Sequence, residues 1–152
     1  MIHSLPDGIP RVNTTLDRLI EFYRRLDHSQ LPQLSRLYHQ NIVFIDPVTH
    51  HIGVDALERY FAQLLTQTNY CRFDIQHALS SGDETMLIWR MTYSHPRLKR
   101  GKELVIDGSS HLRFSEDRVI YQRDYYDLGA MLYEHIPLLA CAVKAVKSRL
   151  AE

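Results

Sequence analysis

Apolar residues recur at helical spacing in the first third of this chain and at alternate positions after it. Leu16, Leu19, Ile20, Tyr23 and Leu26 fall at i, i+3, i+4, i+7 and i+10, with Phe22 on the flank, which predicts an amphipathic helix. Asn13, Thr14 and Thr15 supply N-cap side chains in front of it. Asp27-His28-Ser29 breaks the stripe, and Pro32 suits the first turn of a second, short helix carrying Leu34, Leu37 and Tyr38. Asn41 to Val48 then reads as a buried strand that ends on Asp46, because Pro47 has no N–H to continue a ladder. His50, His51 and Gly53 read as a loop. A third helix begins at Val54, with Leu57, Tyr60, Phe61, Leu64 and Leu65 inward.

After Thr66 the period changes to two. Cys71, Phe73, Ile75, His77 and Leu79 alternate with polar neighbours, and Ser81-Gly82-Asp83 is a turn. Leu87, Trp89, Met91 and Tyr93 share one face of a strand from Met86 to His95, with Arg90, Thr92 and Ser94 on the other. A basic loop, Pro96–Gly101, leads to a strand from Leu104 to Phe114. Ser115-Glu116-Asp117 turns into a last strand, Val119–Tyr126. The expected architecture is α+β: helices packed on one face of a curved antiparallel sheet, with the layer between them as the natural pocket. Residues 1–12, with Pro6, Gly8 and Pro10, read as an irregular arm ahead of a domain spanning 13–127. Residues 128–152 read as a helical extension in two pieces, Leu128–Ile136 and Pro137–Leu150. That extension either closes the pocket or meets a second subunit. Lys144, Lys147 and Arg149 beside its apolar residues give a further reading, a basic helix lying on a membrane surface.

Composition narrows the function more than it names it. The 152 residues suffice for one domain with a real core. Lys plus Arg and Asp plus Glu both number 18, so the basic excess of a nucleic-acid binder is missing and no nucleic-acid partner is expected. Cys71 and Cys141 lack metal-ligand spacing and read as thiols of a reducing compartment. The first residues lack a charged stretch followed by an apolar run, and no apolar run reaches about 18 residues. A cytoplasmic protein is therefore expected. Gly101 and Gly108 are isolated, so no phosphate-cradling loop, and hence no nucleotide cofactor, is expected. Adjacent His50 and His51 point apart, and a metal site is not expected there.

Asp46 is the first candidate for chemistry. A carboxylate at the lip of an apolar layer formed by Phe44, Tyr60, Trp89 and Met91 would have its pKa raised and act as a base. The plainer reading is that Asp46 caps the loop before the third helix. Asp124 is the second acid. Alternation places Gln122, Asp124 and Tyr126 on one side of the last strand, and two carboxylates in one dry pocket would split into an acid and a base. The plainer reading pairs Asp124 with Arg90 or Arg113. His77 and His95 are candidates for inward faces, whereas His111 has the outward parity.

Leu37-Tyr38, the run Val43-Phe44-Ile45-Asp46-Pro47-Val48, and Gly53 with the helix to Phe61 together resemble the nuclear transport factor 2-like superfamily. Within it the chain resembles SnoaL-like proteins and, more distantly, ketosteroid isomerases. His111-Leu112-Arg113-Phe114 and Arg118-Val119-Ile120 are weaker matches, and the resemblance spans residues 14–127. It implies a cone-shaped fold with a deep pocket for an apolar small molecule, cofactor-free isomerase, cyclase or hydratase chemistry, and a homodimer. It places the general base on Asp46. The tyrosine of the isomerase oxyanion site falls on Phe22, one residue from the inward-facing Tyr23, and the late-strand acid falls on Ser110. The implied pocket wall is Phe22, Phe44, Tyr60, Trp89, Met91, Tyr93, Ser110, Leu112 and Tyr126, around Asp46, Asp124 and Tyr23. A non-catalytic ligand-binding or dimerisation module is the alternative.

Overall fold

Thr14 starts the first helix: its hydroxyl accepts from Asp17 N–H while the Asp17 carboxylate accepts from Thr14 N–H, a reciprocal cap. In this computed structural model, which describes residues 14–131 and 135–151, that helix is α1 (Thr15–Arg24). The expected irregular arm lies outside the described residues. Leu19, Phe22 and Tyr23 are buried along the inner face of α1. Phe22 is fully in the core, because the aromatic layer of Phe61 and Tyr23 extends around what the sequence makes a flank.

Asp27 caps a 3₁₀ turn over His28–Gln33 that contains Pro32, and α2 (Leu34–Leu37) follows directly. Strand β1 (Tyr38–Ile45) stops one residue before Asp46, as Pro47 requires. The stretch expected as a loop is instead a short strand, β2 (His50–Ile52), paired antiparallel with β1. Gly53, at φ 93°, then turns the chain into α3 (Val54–Gln67), a conformation that favours glycine.

The remaining strands are β3 (Tyr70–Ser81), β4 (Glu84–Ser94), β5 (Leu104–Ser115) and β6 (Arg118–Tyr126). The fold is α+β as expected: helices pack on a six-stranded open sheet in the order β2-β1-β6-β5-β4-β3. One pairing departs from a purely antiparallel sheet. β1 lies parallel to β6, which brings Phe44 opposite Gln122 and sets the end of β1 beside the acidic end of β6.

A bulge in β3 between Ile75 and His77 changes the alternation. Cys71, Phe73 and Ile75 face the helices, but beyond the bulge Ala78 pairs with the buried Leu87 while His77 and Leu79 turn to the outer face. His77 and Leu79 are therefore exposed, not inward, because one extra residue flips every later side chain. After β6 come α4 (Leu128–Met131) and α5 (Pro137–Leu150). The expected helix through Ile136 includes residues 132–134, which lie outside the described residues. Lys147 Nζ donates to Asp127 Oδ2 at 2.8 Å and ties α5 to the end of β6. No helix among the described residues is long and apolar enough to cross a membrane.

Candidate functional site

The inward positions of β5 and β6 that alternation leaves polar, Ser110, Gln122 and Asp124, meet two tyrosines from α1 and β1. Tyr38 donates to Gln122 Oε1 at 2.7 Å, and Tyr23 lies 2.7 Å from the Tyr38 oxygen. Gln122 Nε2 donates to the Tyr23 oxygen at 3.0 Å and to Asp124 Oδ1 at 2.9 Å. Ser110 donates to the same Oδ1 at 2.6 Å, and Trp89 Nε1 donates to Ser110 Oγ at 2.9 Å. With Tyr38 donating to Gln122, the Tyr23 proton is left for Tyr38. The amide of Gln122 is fixed in turn, its two N–H groups going to Tyr23 and Asp124. The chain of donors thus converges on one oxygen of Asp124. Oδ2 accepts no hydrogen bond among the described residues.

Burial pushes the Asp124 carboxyl up to about 6, and the nearby charge of Asp46 adds to the rise. The hydrogen bonds from Ser110 and Gln122 act the other way. Among the described residues Arg90 pairs with Asp107 at 2.8 Å and Arg113 with Glu84 at 3.0 Å, both on the outer face, so the arginine partners considered for Asp124 are engaged elsewhere. Burial, followed by the charge of Asp124, also raises Tyr23 well above the ordinary tyrosine range. Tyr23 is a hydrogen-bonding phenol at neutral pH, never a phenolate.

Asp46 is buried more fully and is used differently. Its Oδ1 accepts from Val48 N–H and Thr49 N–H, each at 2.7 Å, and from the Thr49 hydroxyl at 3.2 Å. Its Oδ2 accepts from the Tyr60 hydroxyl at 2.5 Å. Both oxygens are engaged in holding the β1–β2 turn and α3 together, the capping role that Asp-Pro suggests. Tyr60 itself stacks on His51, with centroids 4.6 Å apart.

Two cavities lie along β3 and β4. The first, of about 10 Å³, is lined by Tyr23, Phe73, Ile75, Leu87, Trp89, Ser110 and Asp124, and has room for about one water. The second, of about 120 Å³, is almost wholly apolar. Leu64, Cys71, Met91, Tyr93, His95, Leu98 and Met131 line it, and it is large enough for about one small ring. Tyr93 donates to the Met131 carbonyl at 2.5 Å and so fastens α4 over that end. Phe73 and Trp89, 5.2 Å apart edge-to-face, wall the first cavity, while their neighbours Cys71 and Met91 wall the second.

The structure thus brings together Tyr23, Asp124, Trp89 and Ser110 at the first cavity and Met91 and Tyr93 at the second. Phe22, Phe44 and Leu112 are packed into the core and line neither, and neither do Asp46 and Tyr60. Tyr126 packs against Trp89, with centroids 6.2 Å apart. Three participants were missed as functional groups: Gln122, Tyr38 and Gly108. A glutamine at an inward strand position next to an inward acid is a readable signal for the first. Gly108 has none in the sequence alone. A Cβ there would lie 2.2 Å from the Trp89 ring, so the glycine is what lets the indole lie flat across β5 and reach Ser110.

Comparison with known proteins agrees with the fold. No curated protein matches the chain. Among solved structures, a nuclear transport factor 2-like protein from Exiguobacterium sp. 255-15 is 22% identical, with a TM-score of 0.64 over 76% of this chain and 99% of that one. A SnoaL-like polyketide cyclase from Jannaschia sp. CCS1, itself a provisional assignment, is 13% identical, with a TM-score of 0.70 over 86% and 96%. A protein with a ketosteroid isomerase-like fold from Catenulispora acidiphila, crystallised with trimethylamine, is 13% identical, with a TM-score of 0.68 over 80% and 91%. At these identities the likeness is one of fold. The family model of the SnoaL-like domain matches residues 19–122, which takes in α1 through most of β6, and the chain belongs to that family.

Proposed function

We propose that this protein binds a small apolar molecule and moves a proton on it without a cofactor, with Asp124 as the acid–base group. One observation carries the reading: a part-buried carboxyl raised to about 6, with its donors gathered on Oδ1 and Oδ2 left over, beside a water-sized aromatic hollow. A base is most effective when its pKa lies near the working pH. Ser110 and Gln122 hold the carboxylate in place as it gains and loses the proton. His95 accepts Arg97 N–H on Nδ1 at 3.1 Å, so the proton of its neutral ring sits on Nε2, a donor for a ligand in the second cavity. Asp46, the base implied by the isomerase resemblance, we assign to the turn and to the field at Asp124. For a ligand to bridge the two cavities, the Phe73 and Trp89 rings must part or the Tyr93–Met131 latch must open.

The test is deuterium exchange at carbon in a panel of monocyclic carbonyl compounds in heavy water, followed by NMR. Wild type should exchange some of them with a half-maximal rate near pH 6, Asp124→Asn should lose the exchange, and Asp46→Asn should keep it. Full exchange by Asp124→Asn would overturn the assignment.

A second reading is a non-catalytic association module. It is favoured by the outer sheet face, where Leu79, Met86, Ile88, Val105 and Tyr125 are exposed. We propose that a second copy covers this face. Sedimentation should show a dimer that Ile88→Lys dissociates.

A further inference from the structure

A third pocket lies against the loop that carries His95 and Leu98. It has a volume of about 440 Å³, and Arg97, Lys99, Arg100, His135 and Lys144 line it with the first turn of α5. No acid is among the lining residues. None of Arg97, Lys99, Arg100 and Lys144 forms an ion pair among the described residues. His135 Nδ1 is buried there and has no hydrogen-bond partner among the described residues. The wall therefore offers many donors and positive charges, and the lining side chains supply no anionic acceptor.

The loop that presents these charges is held in place. Leu98 is buried as its anchor, and Leu98, Gly101 and Lys102 N–H groups bond back to His95, Leu98 and Lys99 carbonyls. Ser94 Oγ donates to the Gly101 carbonyl at 2.7 Å. Lys99 and Arg100 both sit at positive φ, 47° and 57°, a conformation that side chains other than glycine rarely adopt. On the other wall, Pro137 opens the 14-residue α5, so the positive end of its dipole adds to the field.

We propose that this pocket binds the phosphate or diphosphate group of a small molecule. Arginine forks match phosphate oxygens in pairs, and a concavity with cations on two walls suits a compact, multiply charged anion better than a flat surface. The site is independent of Asp124 and of the apolar cavities.

The test is calorimetric titration of the full chain with inorganic pyrophosphate at low ionic strength. Wild type should bind, and affinity should fall as salt is added. The triple variant Lys99→Gln/Arg100→Gln/Lys144→Gln should weaken binding roughly tenfold for each cation that contacts the anion. All three positions are exposed, and an unchanged melting curve checks the fold. The control Arg36→Gln/Arg59→Gln, which removes two exposed cations outside the pocket, should bind as wild type does. Absence of binding, or equal weakening in variant and control, overturns the proposal. So does binding to phosphatidylglycerol vesicles without binding to pyrophosphate, which would make the basic face a lipid contact instead.

Discussion

Replacing Asp124 by asparagine should make this protein more stable at neutral pH while removing the group assigned to chemistry. The carboxyl ordinarily titrates at 3.8, and burial raises it to about 6 in the folded chain. The folded state therefore holds this proton more tightly than the unfolded state does. The corresponding stability is fully present below 3.8 and is lost as pH rises through about 6. A rise of about two units, at about 1.4 kcal/mol each, makes the ionised form cost up to about 3 kcal/mol above that window. Asparagine never ionises. Ser110 and Gln122 both donate to Oδ1, so the amide can give them its carbonyl and turn its NH₂ towards the first cavity. The assay is urea unfolding of both proteins at about pH 4 and about pH 8. The expected result is near-equality at the lower pH and a gain of about 2–3 kcal/mol for the variant at the higher one. A variant less stable than wild type at the higher pH, or a difference that does not change with pH, would refute the account of Asp124 as a desolvated, chargeable group.

Three other perturbations probe the surroundings of that acid. Gly108→Ala forces its methyl into the Trp89 ring, so stability should fall by about 1–3 kcal/mol and the single tryptophan's emission should shift as the indole leaves Ser110; an unchanged spectrum would contradict the contact. Tyr38→Phe deletes the hydroxyl between Tyr23 and Gln122, fully buried on both sides, and should cost about 1–3 kcal/mol in urea unfolding. Cys71 is buried with its thiol pushed up to about 12, while Cys141 is exposed. A disulfide reagent at neutral pH should therefore titrate one thiol in the native protein and both in urea, and fast labelling of two native thiols would show that the second cavity is open to solvent.

The local patterns were legible in the sequence because each is set by neighbours along the chain. The stripe from Leu16 to Leu26, an N-cap among Asn13, Thr14 and Thr15, the stop at Pro47 and the alternation of β4 all follow from a residue's own backbone preferences and from which face must be buried. The α+β architecture and the family resemblance rest on that order of elements. Tertiary structure decided that Asp124 is raised towards neutrality and that Asp46 holds a turn. Asp46 and Asp124 look alike in the sequence, each an acid beside apolar residues. One sits where a turn supplies backbone N–H groups to its carboxylate, and the other sits where β1 lies parallel to β6 and two tyrosines, a glutamine and a serine close over it. The partners of that network are up to 99 residues apart, and the bulge at Ile75–His77 turns His77 and Leu79 outward by one unmarked residue. Desolvation and hydrogen bonding depend on what surrounds a group in space, so no period along the chain encodes them.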